Sequence, residues 1–109
     1  MISLNVYLAP KSSRAAELDS AIRKWLGGMS RQPGFVNAAI LKPYAAEELA
    51  KLEALTPPTP IEVVCFWRSE SERLEWVTRP IFEEVYPPVE EAADAITFTM
   101  QTVEHSWNV

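Results

Sequence analysis

The sequence predicts an α+β fold in which four strands form one antiparallel sheet with helices packed on one face. Three observations carry this. Segments that alternate with period two are separated by segments whose apolar residues recur every three or four positions. Their order along the chain is β-α-β-(α)-β-α-β. Proline or glycine stands at most of the junctions between them.

Residues 2–9 are the first strand: Ile2, Leu4, Val6 and Leu8 share one face, with Ser3, Asn5 and Tyr7 on the other. Pro10 ends it, because proline cannot donate to the ladder. Ser12 and Ser13 are candidate N-caps for a helix over roughly 14–30, whose apolar stripe is Leu18, Ile22, Trp25 and Met29. Gly27-Gly28 weakens its last turn and Pro33-Gly34 closes it off. Phe35 to Leu41 is the second strand, stopped by Pro43. Residues 45–55 are strong helix formers and predict a short extra helix. Thr56-Pro57-Pro58-Thr59-Pro60 is a stiff connector. Ile61 to Trp67, a nearly continuous apolar run, is the third strand, and a central one.

Ser69 stands three residues before Glu72, the signature of a capping box at a helix start. Leu74, Val77, Ile81 and Val85 continue as a helical stripe that Pro80 breaks or kinks. Pro87-Pro88 ends that helix, Val89 to Asp94 adds a further turn, and Ile96 to Val103 is the fourth strand. No internal repeat or low-complexity tract is evident. This is the split βαβ order of ferredoxin-like folds, with strands one and three antiparallel neighbours at the centre. Two helices cover one sheet face. The other face needs a cover too, and a second copy of the chain is the expected one, giving a homodimer.

Residues 1–109 are expected to form one domain. The formal charge of −5 and the scattered Lys and Arg residues argue against nucleic-acid binding. Cys65 is the only cysteine, which excludes an internal disulfide and a cysteine-rich metal site, and it reads as an inert core thiol. No apolar run reaches the ~20 residues of a membrane helix, and Met1 to Pro10 lacks the pattern of a secretory signal. The expected setting is the reducing cytoplasm. His105 stands alone near the end and reads as a surface residue. The pairs Glu47-Glu48, Glu83-Glu84 and Glu90-Glu91 read as solvated faces, since adjacent residues on a helix point apart.

Two groups of residues carry a likeness to a known family. One is Pro33-Gly34-Phe35 at the entry to the second strand. The other is Phe66-Trp67-Arg68-Ser69-Glu70-Ser71-Glu72, followed by Trp76 and Phe82-Glu83-Glu84. Over residues 2–103, with 44–60 as a longer connection than usual, the chain resembles the antibiotic biosynthesis monooxygenase family of dimeric α/β barrels. That resemblance implies one of three activities: cofactor-free oxygenation of phenols and quinols, haem degradation, or ligand binding without a reaction. In the haem-degrading branch an asparagine matches Asn5 and a tryptophan matches Trp76, but Tyr86 stands where the haem-ligating histidine falls. The expectation is therefore no metal and no cofactor.

Because strands one and three run antiparallel, Asn5 and Trp67 are expected at the same end of the sheet. The resemblance makes them the candidate catalytic pair, their amide and indole N–H groups holding a substrate oxygen. Tyr7, Trp76, Phe82 and Tyr86 are the candidate ligand-binding residues, and Tyr44 is a further phenol that either lines a pocket or packs. The reading is a cofactor-independent monooxygenase acting on a small aromatic phenol or hydroquinone. Its rivals are a non-catalytic small-ligand-binding dimer and, further off, a haem-binding protein.

Overall fold

The computed structural model describes residues 1–107. Strands β1 (Ile2–Pro10), β2 (Phe35–Leu41), β3 (Ile61–Trp67) and β4 (Ala93–Thr102) form one sheet in the order β2-β3-β1-β4. Every neighbouring pair is antiparallel, which is the ferredoxin-like arrangement. In the central pair Ile2 stands opposite Trp67, Leu4 opposite Cys65, Val6 opposite Val63 and Leu8 opposite Ile61. Directly opposed residues share a face, so these apolar side chains all project towards the helices. All but Ile2 are buried.

Helix α1 (Ala15–Met29) lays Leu18, Ile22, Trp25 and Met29 into this core, as its periodicity predicts. Its cap differs. Arg14 is the N-cap residue, with no side-chain cap, and Ser13 takes a left-handed turn at φ 63°. The Arg14 guanidinium bonds Glu17 instead. Helix α2 (Ala46–Lys51) is shorter than residues 45–55, and none of it is buried. Propensity alone does not sustain a helix that has no apolar face to pack.

Helix α3 (Glu70–Val77) starts as its capping box predicts: the Ser69 hydroxyl accepts from the Glu72 N–H at 3.2 Å. Pro80 does break the helical run, by placing Arg79 in extended geometry and opening a new helix, α4 (Pro80–Val85). Val77, Ile81 and Val85 of the expected stripe are partly buried against the core, whereas Leu74 is exposed and Trp76 is the buried residue of α3. Pro87-Pro88 opens α5 (Pro87–Ala92), proline being suited to the first helical turn where its missing N–H costs nothing. Val89 and Ala92 are buried, and β4 begins at Ala93, earlier than Ile96.

Among the described residues, the buried core and the helices that pack on it lie on one face of the sheet. On the other face Ser3, Asn5 and Tyr7 of β1 lie beside Glu62, Val64 and Phe66 of β3, all partly exposed.

Candidate functional site

The helix breaks do more than end elements; they build a wall. With α4 starting afresh at Pro80, Phe82 and Tyr86 are four residues apart and stand on one side of it. Arg79, just before the break, is held by Gln32 Oε1 at 2.9 Å and by Glu75. The resulting aromatic series is continuous. Trp76 meets Phe82 edge-on at 5.3 Å between centroids. Phe82 stacks on Tyr86 at 5.0 Å, and Tyr86 tilts against Trp25 of α1 at 5.3 Å.

Between this wall and the sheet lies a cavity of about 170 Å³. Leu4 and Val6 of β1 and Trp67 of β3 form its floor, and Ile96 and Phe98 of β4 its side. A cavity near 150 Å³ accommodates benzene, so this one is of single-ring size. The lining is apolar except for a few groups, all of them hydrogen-bond donors. Arg73 of α3 is the one charged residue that lines it. Glu70 engages Arg73 through Nε at 2.9 Å and Nη2 at 2.7 Å, so Nη1 is left for another acceptor. This fork lowers the Glu70 pKa and raises that of Arg73, because each charge is stabilised by the hydrogen bond to the other.

The Tyr86 phenol is held above its ordinary pKa of 10.0, by burial first and by the nearby Glu90 second. It is a neutral donor at physiological pH. The indole nitrogens of Trp25 and Trp67 are fully buried and make no hydrogen bond among the described residues. The Trp67 indole lies near enough to the Cys65 sulfur to oppose the burial that pushes the thiol up to about 11, yet it does not meet hydrogen-bond geometry. A buried unpaired donor costs about 1–3 kcal/mol. A ligand oxygen reaching either N–H would recover part of that.

Of the residues singled out from the sequence, Trp67, Trp76, Phe82 and Tyr86 line this cavity together. Asn5 and Tyr7 do not. Asn5 lies on the uncovered sheet face, where its Nδ2 donates to Glu62 Oε2 at 2.8 Å, and Tyr7 lies on the same face. Asn5 and Trp67 do not share an end of the sheet: Asn5 stands opposite Val64 at the middle of β3, Trp67 is the last residue of that strand, and the two lie on opposite faces. The reason is parity: Trp67 pairs with Ile2, three residues from Asn5, and an odd offset changes face. Their pairing as a catalytic unit is thereby overturned.

The residues that the sequence reading missed are Trp25, taken only as part of a helical stripe, and Arg73. A signal for Arg73 exists, since it precedes Trp76 by three and Val77 by four and shares their helix face. Tyr44 is exposed on the connection before α2. His105 is exposed near the end of the chain, its ring against Trp107.

Haem does not suit this arrangement. The cavity is of one-ring size, and ferric haem takes tyrosine as phenolate, which the burial of Tyr86 disfavours. Among the described residues no group of three or more His, Cys, Asp and Glu side chains is placed to hold a metal ion. Among them, too, no helix is long and apolar enough to cross a membrane.

No protein-family model matches the chain, and no curated protein sequence matches it. Solved structures do. SnoaB, a cofactor-independent oxygenase from Streptomyces nogalater, superposes with a TM-score of 0.74 at 13% identity, over 96% of this chain and 94% of that one. A proposed antibiotic biosynthesis monooxygenase from Nitrosomonas europaea gives 0.74 at 14% identity, over 96% and 100%. A dimeric ferredoxin-like protein of unknown function from Thermobifida fusca gives 0.71 at 9% identity, over 94% and 90%. At 9–14% identity the likeness is one of fold: this chain has the ferredoxin-like α+β architecture seen in structures named as antibiotic biosynthesis monooxygenases.

Proposed function

We propose that the protein is a cofactor-independent monooxygenase that oxidises a small one-ring phenol or hydroquinone in the cavity between helices and sheet. The observation that carries this is the lining: a single-ring aromatic slot in which Arg73 and the Tyr86 phenol are donors, with the unpaired indole N–H groups of Trp25 and Trp67 buried in its walls. Such a set is complementary to an oxygen that bears negative charge, and a dry setting strengthens each contact. The fold shared with a cofactor-independent oxygenase supports the same reading by analogy.

The chemistry is simplest for a phenolate with a free ortho or para carbon; in 1,4-hydroquinone the free carbon is ortho. The phenolate passes one electron to O₂, and the radical pair collapses into a C–O bond at that carbon. The outer oxygen then leaves as hydroxide, carrying the ring C–H proton, and the carbonyl of a quinone remains. Phenolate and O₂ thus become quinone and hydroxide, and no protein base is consumed. The protein's part is to favour the anion through Arg73, to stack the ring on Phe82 and Tyr86, and to exclude water.

O₂ uptake with a panel of one-ring hydroquinones and phenols, after subtraction of autoxidation, tests the proposal. Uptake that falls tenfold or more in Arg73→Gln supports it. Among the described residues no carboxylate or imidazole lines the cavity to take the proton of a phenol, and this favours a second reading, a binding dimer without turnover. Calorimetric binding of the same phenols under air, with no O₂ consumed, would replace the first reading by the second.

A further inference from the structure

We infer that Phe98 sets the size of what the cavity accepts and restricts it to one aromatic ring; this rests on the cavity being the ligand site, as proposed above. β4 is an edge strand, paired only with β1. Phe98 stands opposite Val6, so its ring lies on the helix-facing side of the sheet, and both residues line the cavity. Unlike the rest of the lining, however, Phe98 is 63% exposed. Trp67 is 0% exposed, Trp76 1% and Trp25 3%, and these walls belong to the core itself. A packed core resists enlargement by even a methylene, so they do not yield to a longer ligand. Arg73, Val77, Phe82, Tyr86 and Ile96 are half-buried, which leaves Phe98 as the most exposed residue of the lining. The mouth is therefore widest at the β4 edge, where a second fused ring meets the phenyl group of Phe98.

The neighbouring position on the same face separates this role from mere exposed apolar area. Met100, opposite Leu4, is also partly exposed, but it does not line the cavity. Phe98 is held by few neighbours, so its truncation opens the mouth without removing a core residue.

The test is anaerobic calorimetric titration with 1,4-hydroquinone, which has one ring, and 1,4-dihydroxynaphthalene, which has two. The wild-type protein should bind hydroquinone at least tenfold more tightly than the two-ring compound. Phe98→Ala should shift that ratio by tenfold or more towards the two-ring compound, and Met100→Ala should leave it as it was. An unchanged ratio in Phe98→Ala, with hydroquinone still bound, overturns the role of Phe98 and spares the cavity as the site. A wild-type preference for the two-ring compound also overturns it. If neither compound binds the wild-type protein, the cavity is not a phenol site and the inference falls with that reading.

Discussion

Gly34 lies directly beneath the side chain of Glu72: a Cβ built on Gly34 would stand 2.5 Å from Glu72 Cδ and 2.6 Å from its Cβ. Gly34 has φ +90°, a region where side chains are strained whatever the space. Its carbonyl accepts from the Arg68 N–H at 2.7 Å, and Glu72 in turn holds the Arg68 guanidinium and the Ser69 hydroxyl. The turn into β2 and the start of α3 are thus one unit, joined by a glycine and a carboxylate 38 residues apart in the chain.

Gly34→Ala should therefore destabilise the protein by more than the about 1–3 kcal/mol of backbone strain alone. Urea unfolding measures it. In a Glu72→Gly background the extra cost should shrink, because the overlapping Cβ and carboxylate are gone while the strain at Gly34 remains. Equal costs in both backgrounds would mean that the contact is relieved without penalty.

A second expectation concerns the uncovered face of the sheet. There Asn5 donates to Glu62 across the central strand pair, with Val64 and Phe66 beside them. We expect this face to be covered by a second copy of the chain. Sedimentation should give twice the 12.3 kDa of one chain at micromolar concentration. Val64→Arg, which puts a charge at the centre of the face, should yield monomers, since an unpaired buried charge costs several kcal/mol. A wild-type monomer would refute the arrangement.

A third expectation follows from the two sides of the sheet. Asn5→Ala should leave phenol binding within about twofold, the spread of a distant surface change. Trp67→Phe, which keeps a ring but deletes the indole N–H, should weaken binding about tenfold, the equivalent of one hydrogen bond of 1–1.5 kcal/mol. Matching losses in both variants would show that the ligand lies elsewhere.

The same contrast shows how far the sequence was legible. Element order and strand pairing could be read, because period-two and helical stripes report which face is apolar, and the split βαβ order leaves few topologies. Four lining residues could be read as well, since aromatics beside a broken helix have few places to go. Facing was hard to read in β3, where Glu62 is the one polar residue from Ile61 to Trp67 and no full alternation shows. The pairing of Ile2 with Trp67 settles it, with Glu62 on the outer face. The start of α5 at Pro87 was hidden for a different reason, because the same proline ends one helix and opens another. Arg73 was passed over because its role comes from the wall it joins, although its spacing to Trp76 and Val77 already put it on their helix face.

The last expectation is alkaline destabilisation through Cys65. Its thiol is buried among β-sheet residues, and burial pushes its pKa from the ordinary 9.0 to about 11. Between those values the folded chain keeps the proton while the unfolded chain gives it up. The unfolded state then binds fewer protons, so stability falls as pH rises. The contribution is fully present below pH 9 and is lost as pH climbs through 11. A displacement of about two pH units corresponds to at most about 2.7 kcal/mol. Tyr86, whose pKa is also raised by burial, acts in the same direction above its ordinary 10.0. Urea midpoints measured from pH 8 to 11 should decline, and Cys65→Ala, though less stable at pH 8, should decline less steeply. Parallel slopes for the two proteins would show that the thiol titrates alike in the folded and unfolded chains, and would assign the whole decline to other groups.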